Sequence, residues 1–141
     1  MNWPTFPKLK LRLLLGVTPV LIERAASRSR RLRDLLDAEP FVMQVMTSTG
    51  GGGYFQLRGG RLRFHGGAHA APDFTQVWTT AADAVQALTS RDETDVLRAF
   101  EAGRLRMKGE FAVALWFNEA MKIARHRTSG QVTAFLAQGQ G

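Results

Sequence analysis

The sequence predicts an α+β domain: a five-stranded, largely antiparallel sheet covered on one face by helices, with a basic helical segment ahead of it. Three observations carry this. Between residues 41 and 80 the chain breaks into short apolar or alternating runs separated by glycines, the pattern of strands and tight turns. From 81 to 102 the apolar positions recur at helical spacing instead. A last alternating run at 104–108 then leads through Gly109 into an almost wholly apolar stretch. Strands and helices in separate blocks favour α+β over a doubly wound sheet.

The elements follow in order. Residues 1–18 are punctuated by proline, and Lys8-Leu9-Lys10-Leu11-Arg12-Leu13 alternates strictly, so an extended or surface-lying piece is expected there. Thr18-Pro19 has the form of a helix start, and the helix should run to Glu39, before Pro40. "FVMQVMT" (41–47) is a buried strand, the glycines 50–53 a loop, and "YFQLR" (54–58) the next strand. Gly59-Gly60 turns the chain tightly into "RLRFH" (61–65), and "DFTQVWTT" (73–80) is a fourth strand. Helices are expected over 81–88 and 93–102, the second capped by Gly103, then the strand "RLRMK" and a helix from Glu110 to Arg125. The Ser-, Gly- and Gln-containing tail from Thr128 is expected to fray. The resulting division is a basic N-terminal segment and helix (1–39), a main domain (40–127) and a flexible tail (128–141).

Composition narrows the function. With 45% hydrophobic and 22% charged residues the 141-residue chain is an ordinary globular one. It has no cysteine, so disulfides, thiolate metal sites and cysteine nucleophiles are excluded. The net charge of +7, mostly arginine, favours anionic partners or reflects a GC-rich genome. The apolar run Leu13 to Ile22 is broken by Pro19 and is too short for a span of about twenty residues; no signal peptide or transmembrane helix is expected.

No catalytic constellation stands out. His65 and His69 have the spacing of two metal ligands, but glycines lie between them and Asp73 is the only third candidate, so water-bound loop histidines are expected. His126, among Arg125 and Arg127, is expected to be solvated. The glycines 50–53 open a strand rather than a helix and lack the Gly-Lys-Ser/Thr ending of a phosphate loop. No nucleophile elbow, zinc-protease motif or carboxylate pair is present. No enzyme, metal or cofactor is therefore expected.

The apolar stretch is more telling. At about 100° per residue, Val113, Trp116, Phe117, Ala120, Met121 and Ala124 form one stripe, with Phe111, Ala114 and Leu115 beside it. The first two turns are apolar all round and must be buried on two sides, against the sheet and against a helix or an apolar ligand. In the strand before it Arg104, Arg106 and Lys108 alternate with Leu105 and Met107, and Arg61 and Arg63 alternate with Leu62 and Phe64. The sheet should therefore have an apolar face against the helices and a basic outer face.

These same residues resemble a known family. "FEAGRLRMKGEFAVALWFNEAMKIAR" (100–125) is similar to the C-terminal signature of the sterol carrier protein type 2 family, a strand of the form Gly-Lys-Leu-Lys-Ile-x-Gly running into an apolar helix. "PDFTQVWTTAADAVQAL" (72–88) looks like its preceding strand and helix, and "FQLRGGRLRF" (55–64) like its central hairpin. The resemblance implies an apolar tunnel between sheet and helices. Carried over by position, its lining would comprise Phe74 or Val77, Trp78, Phe100 and Met107, followed by Phe111, Val113, Leu115, Trp116 and Phe117. It implies a non-enzymatic lipid carrier. The N-terminal leader, with "LLLGVTPVLIERA" (13–25), is similar in outline to bacterial accessory proteins of ubiquinone biosynthesis that carry this domain. That favours a polyprenyl quinone precursor, an acyl chain or a phospholipid over a sterol. Partners would be an anionic membrane surface, met through Lys8, Lys10 and Arg12, and lipid-biosynthesis enzymes, for a cytoplasmic protein peripheral at the inner membrane. Two other readings are a lipid-independent interaction module of a biosynthetic complex and, favoured by charge alone, a nucleic-acid-binding protein. For the nucleic-acid reading a base-stacking aromatic should stand among the arginines of the sheet; Phe64 alternates away from them, although Tyr54 could share the outer face with Arg58.

Overall fold

The computed structural model describes the backbone of residues 6–90, 92 and 94–139, and side chains as far as residue 125. The chain runs α1 (Phe6–Ala26), α2 (Arg30–Leu36), β1 (Phe41–Thr47), β2 (Gly52–Arg58), β3 (Arg61–Gly66), β4 (Phe74–Trp78), α3 (Ala81–Thr89), α4 (Thr94–Glu101), β5 (Leu105–Gly109) and α5 (Phe111–Gly139). The five strands form one sheet in the order β3-β2-β1-β4-β5. Every neighbouring pair is antiparallel except β1 with β4, so the α+β sheet is mixed but mostly antiparallel.

The parallel pair dictates the one unusual connection. To place β4 beside β1 and parallel to it, residues 67–73 must return across the sheet from the β3 edge. Their path shows in the contacts: the His69 N–H donates to Gln44 Oε1 at 2.7 Å, and the His69 ring packs edge-on to Tyr54. Both partners belong to the face away from the helices, so this loop seals β1 on its second side. That is why Val42 and Gln44, on the nominally outer face, are as buried as Phe41 and Met43. Asp73 ends the crossing as a joint between three elements. Its carboxylate accepts the Val42 N–H at 2.7 Å, its N–H donates to Val42 O, and its carbonyl accepts the Glu110 N–H. The tight approach at that carbonyl requires glycine at 109, where φ is +117° and a Cβ would stand 2.2 Å from the oxygen. At the β2–β3 hairpin, φ is positive at both Gly59 and Gly60, as a two-residue turn of this hand demands.

Strand register sorts the side chains. Phe41, Met43 and Val45 of β1, Phe55 and Leu57 of β2, Leu62 and Phe64 of β3, Phe74 and Trp78 of β4, and Leu105 and Met107 of β5 share the helix-facing side. Arg58, Arg61, Arg63, Arg106 and Lys108 share the other. The apolar inner face and basic outer face expected from the alternation are both present.

The N-terminal region differs from expectation. Residues 8–13 are helical, not extended, and the helix passes through Thr18-Pro19 instead of starting there. Leu11, Leu15, Thr18 and Ile22 are spaced at helical intervals and buried, and α1 packs on α3, α5 and the β2–β3 edge of the sheet. Pro19 has no N–H for the Leu15 carbonyl; one residue earlier the Thr18 hydroxyl donates to Leu14 O at 2.8 Å. The chain breaks at Ser27–Ser29, and Ser29 caps α2 by accepting the Leu32 N–H. At the other end α5 continues past Arg125 to Gly139. The expectation for His126 concerns a side chain outside the described ones, whereas the tail expected to fray from Thr128 has a helical backbone as far as Gly139.

Candidate functional site

Between the apolar sheet face and the helices lies a half-open cleft of about 350 Å³. Its floor is the centre of the sheet: Met43 and Val45 of β1, Phe55 of β2, Gln76 of β4 and Met107 of β5. One wall is α1, through Leu14, Leu15 and Thr18. The opposite wall comes from Ala87 and Leu88 of α3 and Val96 and Leu97 of α4. Helix α5 runs along the cleft and contributes Phe111, Ala114, Leu115, Phe117 and Met121.

Several of these side chains are left partly in solvent. Leu97, Phe111 and Leu115 are 55%, 57% and 67% exposed, so the mouth of the cleft is apolar as well as its floor. Charge is confined to one end, where Asp92, Lys122 and Arg125 meet. Arg125 is held there by donating to Leu88 O at 2.7 Å. The carboxyl of Asp92 accepts both the hydroxyl and the N–H of Thr94, which, with Arg98 nearby, hold it below the ordinary carboxylate range.

Of the residues expected to line a tunnel, Met107, Phe111, Leu115 and Phe117 stand together on this cleft. The others lie elsewhere. Phe74 and Trp78 are fully buried on the inner sheet face, Phe74 beneath the Phe111 ring at 5.6 Å. Val77 points to the opposite, outer face, opposite Arg106. Val113 is buried away from the cleft, and Phe100 is 44% exposed on α4. Trp116 is a fastener: its indole N–H donates to Leu35 O at 2.7 Å, and its ring packs edge-on to Phe41 and Phe117. Of the three basic residues expected at a membrane, Lys10 is exposed, Lys8 donates to Thr49 O, and the Arg12 guanidinium lies against Gly66.

Sequence reasoning missed the α1 wall, because the period-two reading of 8–13 hid its helix. It also missed Gln76, although a signal was available: in Phe74-Thr75-Gln76-Val77-Trp78 the glutamine takes the same face as two large aromatics. Among the described residues no group of three metal-ligating side chains occurs. His65 stacks on Tyr54 and the His69 ring accepts the Ala71 N–H.

A five-stranded sheet of this order, with helices on one face and an apolar cleft between, is the sterol carrier protein 2 fold. The chain superposes on UbiJ-SCP2, a ubiquinone synthesis protein, with a TM-score of 0.61 at 16% identity, over 80% of this chain and 96% of that one. On the sterol carrier protein domain 2 of Helicoverpa armigera the TM-score is 0.55 at 15% identity, over 88% and 93%. The sec-alkyl sulfatase PisA1 matches with a TM-score of 0.50 at 16% identity, over 64% of this chain but only 14% of its own length. No protein-family model and no curated protein matches the sequence. At these identities the likeness establishes the fold.

Proposed function

We propose that the chain is a non-enzymatic lipid carrier that takes one apolar chain or ring system into the cleft. The observation that supports this most is the cleft itself. Its volume lies at the low end of the roughly 300–1,000 Å³ of small-molecule sites, its floor is almost wholly apolar, and its mouth exposes Leu97, Phe111 and Leu115 to water. A packed core would have closed over those side chains. Likeness in fold to a ubiquinone synthesis protein favours a polyprenyl quinone precursor, with acyl chains and phospholipids as the wider class, and a biosynthetic enzyme complex as the setting. An anionic membrane surface is the source of the lipid in this reading. Helix α1 would meet it with its exposed apolar face and Lys10, while Lys8 and Arg12 add charge alongside. No helix among the described residues is long and apolar enough to cross a membrane, which agrees with a contact that lies on the surface.

Native mass spectrometry of the purified protein tests the reading. A carrier retains lipid-sized adducts that solvent extraction removes and that added quinone or phospholipid restores. A single bare mass that no lipid shifts would sink it and leave a lipid-independent module of a complex in its place.

A further inference from the structure

Gln76 is the one polar side chain on the sheet floor of the cleft. Register sets it between Val45 of β1 and Met107 of β5, with Phe74 and Trp78 two residues away on the same face. It is only 9% exposed. Its amide is oriented by a neighbour: Trp78 Nε1 lies 3.2 Å from Gln76 Oε1, and an indole nitrogen only donates. The oxygen is therefore turned to Trp78, and the NH2 group is left over. Among the described residues that NH2 has no acceptor. Because no buried side-chain nitrogen or oxygen among the described residues lacks a partner, this NH2 keeps access to the half-open cleft, and an oxygen that enters the cleft from outside the protein is its natural complement. The remaining buried hydroxyl on the wall, Thr18, already donates to Leu14 O.

We infer that Gln76 is the polar anchor of the cleft and that the lipid it selects carries a neutral oxygen acceptor, such as a quinone or ester carbonyl, on the end that reaches the sheet. This rests on the carrier reading and adds a chemical class to it. A carboxylate fits the floor less well, because the cations of the cleft, Lys122 and Arg125, are exposed at its charged end and the floor offers an ion nothing but a neutral amide. A plain hydrocarbon would leave the NH2 unpaired.

The competing explanation is that Gln76 exists only to accept the Trp78 N–H. Titration calorimetry with two probes, 2-decyl-1,4-benzoquinone and decylbenzene, separates the two in four proteins: wild type, Gln76→Leu, Trp78→Phe and the double variant. The ratio of the two affinities cancels their shared hydrophobic term. If Gln76 anchors the carbonyl, the ratio in favour of the quinone is kept in Trp78→Phe, where the glutamine has lost its structural duty. It falls about fivefold in Gln76→Leu and in the double variant, the equivalent of one hydrogen bond of about 1 kcal/mol. The double variant removes donor and acceptor together, so it guards against a Gln76→Leu protein that folds poorly around an unpaired indole. An unchanged ratio in the double variant, with decylbenzene still bound, overturns the anchor and leaves the carrier reading intact. Failure of both probes to bind the wild type overturns both.

Discussion

Trp116, Gln76 and Asp73 each do something that their residue type leaves open. Trp116 spends its N–H on Leu35 O and its ring on Phe41 and Phe117, joining α5 to α2 and β1. Asp73, a marginal metal-ligand candidate by spacing, has its carboxylate committed to the Val42 N–H where three elements meet. The position of Trp116 outside the cleft yields a prediction. Trp116→Phe keeps most of the ring packing and removes only the indole donor to the Leu35 carbonyl, which still accepts the Ala38 N–H, and should destabilise the fold by about 0.5–1.5 kcal/mol. Trp116→Ala should cost about 3–5 kcal/mol. Denaturant titration gives both values, and lipid affinity of the Phe variant should match wild type. A large loss of affinity in a Phe variant of near-wild-type stability would mean that the cleft extends to Trp116.

At the scale of elements, α1 is the instructive one. It is a 21-residue helix with two apolar faces. Leu11, Leu15, Ile22 and Ala26 are buried in the core, while Phe6, Leu9, Leu13, Val17, Val20 and Leu21 are exposed on the other side. Leu14, at the edge between the faces, reaches the cleft. On the proposed reading this exposed apolar stripe, with Lys10 within it, is the surface that meets an anionic bilayer. Leu13→Gln with Val17→Gln removes apolar area without adding negative charge. Binding to vesicles containing phosphatidylglycerol should fall at least tenfold, a loss of about 1.4 kcal/mol or more, while the melting temperature stays nearly unchanged. Lys10→Gln should weaken binding about fivefold on anionic vesicles only, since one basic residue near such a surface contributes about 1 kcal/mol. Equal vesicle binding by the double glutamine variant and wild type would eliminate α1 as the contact. Truncating residues 1–18 is a poor test, because it removes Leu11, Leu15 and Thr18 from the core and the cleft wall.

The whole molecule divides its two surfaces by sheet face. Helices and cleft occupy one side; Arg58, Arg61, Arg63, Arg106 and Lys108 stand on the other. A membrane met through α1 therefore leaves the basic sheet face free. On the proposed carrier reading, the half-open cleft would couple ligand to stability. A lipid at a hundred times its dissociation constant adds about 2.7 kcal/mol to the folded state, which for a domain of this size raises the melting temperature by on the order of 10 °C. Thermal scans of extracted protein with and without a quinone, an acyl ester or a phospholipid should separate by that order. Coincident curves for all three would count against a lipid site of useful affinity.

The sequence by itself determined the class of fold, the strands and most helices of residues 41–125, and the division of the sheet into apolar and basic faces. Those are local properties: alternation fixes a strand's two faces, and glycine pairs mark a hairpin. The burial on two sides expected for the all-round apolar start of α5 is not met, since Phe111 and Leu115 are left exposed at the cleft mouth. Four of the ten expected lining residues, Met107, Phe111, Leu115 and Phe117, stand on the cleft because their positions follow from the strand-to-helix junction at Gly109. Only the tertiary structure decided the rest. The two apolar faces of α1 nearly cancel in any periodicity, so its helix became legible only once one face was packed on the sheet and its neighbouring helices. Whether a buried aromatic fills space or borders it depends on what the neighbouring helix brings up against it, and that separates Trp116 and Trp78 from Phe117. The role of Gln76 depends on which atom of its amide a neighbouring indole takes, a matter of contact geometry that no spacing along the chain encodes.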